Sequence, residues 1–318
     1  DRANYPRPPK LFSHNDQQSI WQSSSPEGST IGWGGNIGDL AMAGNGNSLF
    51  TCINVTGNAV FLSGDSALSY QVSTGGAVAI NAVKNNVYGS SAVKAALATL
   101  VQQPRTHVLE NEYNRVTARA IGAETQITSG LAGVSLGTGF PASNSLADQL
   151  KMVARLIGAR NALGAKRQVF MVSIGGFDLH DNLIAQHPAL LGKVSDAMTA
   201  FYNATVELGV ANHVTAFTAS DFGRTLASNG DGTDHGWGGH HFVVGGAVRD
   251  GRFFGQMPSL EQNNNPNDAG YGQIIPTTGV DPYAATLASW FGVDAGGLAD
   301  IFPNLGFYPS ANLGFMTT

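Results

Sequence analysis

The chain has 318 residues, 41 of them glycine, with charged residues at only 12% and a formal net charge of -5. That length suits one large α/β domain with a full core, and a charge share about half the usual ~25% implies a polar but weakly charged surface. No basic run supplies the footprint that nucleic-acid binding needs. The single cysteine, Cys52, excludes a disulfide framework and a cysteine-based zinc cluster. No stretch of about 18 apolar residues is present to span a membrane.

The opening DRANYPRPPK reads as an extended lead-in. LFSHNDQQSIWQ follows as a short helix, with Ser13 at its cap and Asp16 completing a capping-box-like pattern. Residues 23 to 36 read as loop. From about 48 to 82, short apolar runs between Gly and Asn turns suggest strands and hairpins, a β-rich insertion at about 48 to 85 rather than core sheet. Helical periodicity covers roughly 90 to 121, interrupted at Pro104, and residues 122 to 144 read as a Gly/Ser loop. An amphipathic helix from Ser145 then feeds the apolar strand RQVFMVSI, and a second helix, about 189 to 208, feeds HVTAFTAS. Helix alternating with near-continuous apolar strand predicts a parallel sheet covered by helices. FVVGGAVRDGRFFG reads as a hairpin turning at Asp250-Gly251, and one more helix is expected near 283 to 291.

The two apolar strands end in the same chemistry, at the sheet edge where ligands bind in open α/β folds. After a Gly-Gly break come Asp178 and His180, which either meet one ion or act as a helix cap and a packing ring. After HVTAFTAS come Asp221, expected to face Asp178 if the strands are neighbours or else to cap a helix, and Arg224, an anion clamp or an ion-pair partner. Asp234 and His235 sit between Gly232 and Gly236, which free the backbone to approach a ligand. His240 and His241 point to opposite faces of an extended segment, so at most one joins the site. Ser13 at a helix N-terminus is a cap or a phosphate-attacking hydroxyl, and His14 beside it is a secondary candidate with Asp234, His240 and His241. Carboxylates with imidazoles fit a divalent cation, with zinc, manganese and calcium all open.

The phrases LFSHNDQQSIWQ, GWGGNIGDL, GGFDLHDNL, ASDFGRTLASNGDGTDHGWGGHHFVVGG and FPNLGF together resemble a largely uncharacterised family. Its members are bacterial proteins exported by the twin-arginine route and related to the alkaline phosphatase and sulfatase superfamily. The resemblance spans nearly the whole chain. It implies a single alkaline-phosphatase-like domain over 1 to 318, a three-layer α/β/α sandwich with a divalent-metal site, zinc first. It assigns Asp178 and His180 to the first ligand motif, Asp221 to the second, His235 to the third, and Ser13 to the nucleophile's position.

Two features depart from that pattern. The usual first strand, ending in a Gly-Gly-Asn-Asp type of turn, is not among these residues. Phe222 stands where superfamily phosphatases place a His after the second Asp. The expectation is therefore a processed product or fragment, its missing ligands supplied by a separate N-terminal segment of the same precursor, or a site with one metal or none. The lysine-poor, Ser/Asn/Gly-rich composition and a start at Asp1 without a leader point to a periplasmic or secreted protein. The function expected is a metal-dependent hydrolase of a phosphate or sulfate ester, acting on a small anionic ester or a polymer. The alternative is a catalytically silent member that binds a periplasmic or surface polymer such as a glycan.

Overall fold

The structure, a computed structural model, describes residues 8, 10–26, 28–249, 251–261 and 264–317. Most of the expected lead-in, and Asp250 of the expected turn, lie outside the described residues. The fold is mixed α/β. Its main sheet is parallel, in the order β2-β1-β3, from β1 (Cys52–Asn54), β2 (Ser69–Gln71) and β3 (Val169–Met171). Cys52 pairs with Ser69 on one side and Val169 on the other. The segment expected as a β-rich insertion thus supplies the central strand of this sheet, with Cys52 and Ile53 fully buried. Three-residue strands are too short for either a period-two pattern or an apolar run to distinguish core sheet from hairpin.

Alternation along these strands sorts side chains into two apolar clusters. Ile53 and Phe170 join α5 (Val108–Ala132), α6 (Ser145–Gly158) and α7 (Leu183–Glu207). Cys52, Val169 and Met171 face the other way, toward α2 (Trp33–Met42) and α8 (Val280–Phe291). The next strand, β4 (Thr215–Phe217), behaves alike: Ala216 packs in the first cluster and Phe217 in the second. Apolar cover on both faces explains why these strands read as near-continuous apolar runs.

Helix α6 shows how the first cluster is held. The Asn144 side chain accepts hydrogen bonds from the Leu146 and Ala147 amides, satisfying two of the donors that every helix start leaves free. Leu146, Leu150, Val153, Leu156 and Ile157 then recur on one face and are all buried, each worth about 1.5–3 kcal/mol. Two helices differ from expectation for the same reason. Helix α5 runs on through the expected loop to Ala132 because Ala123, Ile127 and Leu131 are buried there, which outweighs the ~1 kcal/mol cost of each of Gly122 and Gly130. Helix α2 starts at Trp33 inside an expected loop. A Cβ on its Gly35 would lie 2.1 Å from the Ser63 carbonyl carbon, so glycine is what lets this helix approach the backbone after Leu62.

Besides four short 3-10 turns, the remaining elements among the described residues are α1 (His14–Ser23), α3 (Asn81–Lys84), α4 (Ser91–Leu100), α9 (Ala295–Ile301) and three strands. Of these, β5 (Arg224–Ser228) and β6 (Thr233–His235) form an antiparallel pair within what reads as a polar loop. The third, β7 (Val243–Gly245), pairs antiparallel with β4, and Val248 bridges to Met316. The FVVGG segment therefore returns to β4 rather than folding onto residues 251 to 254 as a hairpin. Helix α7 begins at Leu183, earlier than the expected 189, and carries Pro188 within it.

Candidate metal centre

Past β3 the chain turns at Gly176, whose φ of 96° suits glycine, and delivers Asp178 and His180 on either side of buried Leu179. The Leu179 carbonyl accepts from the Thr233 amide at 3.2 Å, and a Cβ on Gly232 would sit 2.3 Å from the His180 carbonyl oxygen. That contact sets β6 beside the loop, bringing Asp234 and His235 next to His180. The pairing of Arg224 with His235 across β5 and β6 places the guanidinium on the same side. The first residue of α1, His14, closes the group.

Three imidazoles and a guanidinium converge on one carboxylate. Asp178 Oδ1 lies 3.0 Å from His180 Nε2 and 3.1 Å from His235 Nε2, and it accepts from Arg224 Nη1. Asp178 Oδ2 lies 3.1 Å from His14 Nε2. The Nε2 atoms of His180 and His235 are themselves 3.1 Å apart. Each ring's other nitrogen faces an acceptor: His14 Nδ1 meets Asp221 at 2.6 Å, His180 Nδ1 meets Asp234 at 3.1 Å, and His235 Nδ1 meets the Phe12 carbonyl at 2.9 Å. With a proton on each Nδ1, all three Nε2 lone pairs point into one space with the carboxylate. Arg224 supplies one positive charge to the carboxylate, and extra protons or a metal ion among the Nε2 atoms would offset the rest of the crowding.

The charges respond accordingly. The Asp221 hydrogen bond raises the His14 imidazole above its ordinary value, against partial burial and with help from Asp178. Burial pushes Asp178 upward, but hydrogen bonds from Arg224 and His14 and the His235 charge bring it below the usual carboxylate range. Asp221 is likewise pushed up by burial and held low by His14 and Gln18. The Phe222 ring sits 4.6 Å from the His14 ring and 4.5 Å from that of His235, so the residue that departs from the phosphatase pattern forms an apolar wall. The Asp178 side chain, 42% exposed, marks the open side.

His14, Asp178 and His235 each offer a ligand atom within 4.8 Å of the others, and His180 Nε2 lies beside two of them, 3.0 Å from Asp178 and 3.1 Å from His235. Asp221 stands behind His14 rather than beside Asp178; among the described residues strands β3 and β4 belong to different sheets, and His14 bridges the two carboxylates instead. Ser13 stands at the N-cap of α1, but its side chain accepts no capping hydrogen bond and instead donates to Asp16 at 2.6 Å, and Asp16 in turn pairs with Lys10 at 3.0 Å. His241 approaches the Thr218 hydroxyl and the Tyr283 ring, and His240 is exposed on the surface. Neither contributes an atom to the cluster. The sequence signal for His14 was its place beside Ser13 at a helix start, where a side chain in the first turn points back toward the preceding loop.

Residues 65–286 match the family described as protein of unknown function (DUF1501), and the chain belongs to that family. The matched span carries Asp178, His180, Asp221, Arg224 and His235; His14 precedes it. No curated protein and no solved structure matches the chain. Among the described residues no helix is long and apolar enough to cross a membrane.

Proposed function

We propose that the chain is an exported, metal-dependent hydrolase of a phosphate or sulfate ester. One divalent cation would be held by the Nε2 atoms of His14, His180 and His235 and by the Asp178 carboxylate. The observation that carries this reading is the acceptor facing Nδ1 of each of the three histidines: Asp221, Asp234 and the Phe12 carbonyl. Metal-binding histidines characteristically donate their other N–H to a carboxylate or carbonyl, which sets tautomer and ring orientation. The 3.0 and 3.1 Å spacings among His180, His235 and Asp178 also suit adjacent ligands ~2.1 Å from one ion. Three nitrogens and one carboxylate favour zinc, then manganese, over calcium, which prefers oxygen throughout.

When bound, such an ion polarises an ester oxygen and lowers the pKa of bound water toward ~7. Within the chain, Arg224 already donates to Asp178 and to Thr233, and on this reading its remaining N–H groups take an anionic ester group. The His14–Asp221 pair holds a proton at Nδ1 and keeps the imidazole oriented. Ser13 remains the candidate nucleophile at the start of the helix that carries His14, its hydroxyl donating to Asp16. Phe222 keeps water from one side and so strengthens the charge interactions within. An alkaline-phosphatase-like three-layer architecture belongs to the same reading, supported by the apolar cover on both strand faces. Export by the twin-arginine route to the periplasm or beyond is what the family resemblance implies, and the lysine-poor, Ser/Asn/Gly-rich composition fits export in general.

The test begins with chelator-stripped protein titrated calorimetrically with zinc, manganese and calcium. Zinc is expected to bind tightest, one ion per chain, and His235→Ala to abolish the binding. An aryl phosphate or aryl sulfate should be hydrolysed only by the metal-loaded protein. Failure of all three ions to bind stoichiometrically would overturn the reading. The alternative, a silent glycan-binding member, draws on a separate feature: an open cavity of ≈ 700 Å³ past the ends of β1 and β2, where Thr56, Gln71, Ser73, Thr74, Asp148 and Gln149 line it together with Val55, Val72 and Val78. The neutral hydroxyls and amides with one carboxylate suit sugar hydroxyls. Metal-free protein that retains oligosaccharide affinity would favour it.

A further inference from the structure

Helix α5 carries one apolar stripe with two fates. Its 25 residues reach about 37 Å at 1.5 Å per residue. Ala123, Ile127 and Leu131 in its second half are buried. Continuing the same stripe backwards at spacings of three and four gives Ala120, Val116, Tyr113 and Leu109, and there the cover stops: Val116 is 43%, Tyr113 70% and Leu109 75% exposed. The periodicity is that of a two-helix seam. Solvent-facing residues of a monomeric helix have no need of it.

The charges beside the stripe indicate what fits there. Glu112 precedes Tyr113 and Arg119 precedes Ala120, both at the flanking position where seam-forming helices place their interhelical ion pairs. Two copies of α5 laid antiparallel about a twofold axis near residues 114 and 115 bring Val116 of each against Tyr113 of the other. Glu112 of each then lies within side-chain reach of Arg119 of the other, and because helical side chains lean toward their own N-terminus, the pair lean together. Arg119 is exposed and has no acidic partner among the described residues. Glu112 has only the surface pair with Arg115 at 3.1 Å, which contributes little. A parallel arrangement would set Glu112 against Thr117 and Arg119 against Glu124, which is buried and already tied to Lys84, so only the antiparallel arrangement joins two exposed charges.

We propose that the first half of α5 is a self-association surface through which two copies of this chain pair antiparallel, a closed and self-complementary twofold contact. Four seam residues a side make an interface below the ~1,200 Å² of stable complexes, so association is expected to be weak and concentration-dependent. Sedimentation equilibrium of the intact chain should show its average mass rising from 33.1 kDa toward twice that value with concentration. Glu112→Arg should weaken association at least tenfold, and the charge swap Glu112→Arg with Arg119→Glu should restore it. Circular dichroism of each variant checks that α5 remains folded. Tyr113→Cys combined with Val116→Cys offers an independent readout, a disulfide-linked dimer on mild oxidation, because those two positions face each other across the seam and the native Cys52 is fully buried. A mass that stays monomeric overturns the proposal and would leave the stripe to a different partner. A dimer insensitive to Glu112→Arg, or not restored by the swap, places the contact elsewhere and overturns it too.

Discussion

Strand β3 has unlike neighbours at its two ends. Helix α6, which leads into it, is fixed by burial: its cap is satisfied and its apolar face is enclosed. The loop that leaves it, carrying Asp178 and His180, is fixed by charge, with like groups pressed together around one partly exposed carboxylate. Side chains in α6 can be accounted for by the surface they remove from water. Nothing of that kind accounts for three histidines facing one another. Groups that crowd at the expense of stability are those most often retained for a ligand.

Deleting packing and deleting charge should therefore separate cleanly. Leu156→Ala removes a fully buried side chain from between α6 and its neighbours and is expected to destabilise the fold by about 2–5 kcal/mol. Metal stoichiometry should survive in the fraction that remains folded. Chemical denaturation read beside a zinc titration checks this, and loss of the zinc site at concentrations where the variant is still native would break the contrast.

The reverse experiment acts behind the histidines. Asp221→Asn keeps an acceptor for His14 Nδ1 but removes the charge that makes the ring a better ligand. The affinity for the metal should fall about 10–100-fold, while the denaturation midpoint moves little, since the site is open to water on one side. Unchanged affinity would place the ion away from His14.

The contrast also explains which parts of the molecule were legible in the sequence. Helix α6 and strands β3 and β4 show themselves through periodicity and apolar runs, because burial writes a repeating pattern. Asp178, His180 and His235 show themselves through glycine punctuation at strand ends. Two things were hidden. Strand β1 is read as insertion because its burial depends on partners far apart in sequence, Ser69 and Val169. His14 ranks below Asp221 because no local rule reveals that α1 will set one imidazole between two carboxylates that arrive from separate strands.

A finer test concerns the helix start rather than the core. Asn144→Ala removes the acceptor for the Leu146 and Ala147 amides and also the amide that donates to the Lys193 carbonyl at 2.8 Å. The cost should be about 1 kcal/mol by denaturant titration, well below that of Leu156→Ala. Equal costs would mean that α6 depends on its cap as much as on its packing.

The smallest effect expected lies where a charge is tied down against the apolar body. Glu124 of α5 has a nearly enclosed side chain that accepts from Lys84 at the end of α3 and from the Thr128 hydroxyl at 2.8 Å. Lys84 above all, and Thr128 further, hold its carboxyl below the ordinary value of 4.5, against the opposing effect of burial. A carboxylate with a lowered folded value stabilises the native state above its unfolded value, and that contribution disappears as the pH falls through the folded one. Wild type should therefore exceed Glu124→Gln in stability by about 0.5–1 kcal/mol near neutrality, with the gap closing below about pH 4. Urea titrations of the two proteins across that range measure the gap directly. A gap that persists in acid would mean that Glu124 acts through shape and neutral hydrogen bonds, as α6 acts through packing, and would move this position to the other side of the contrast.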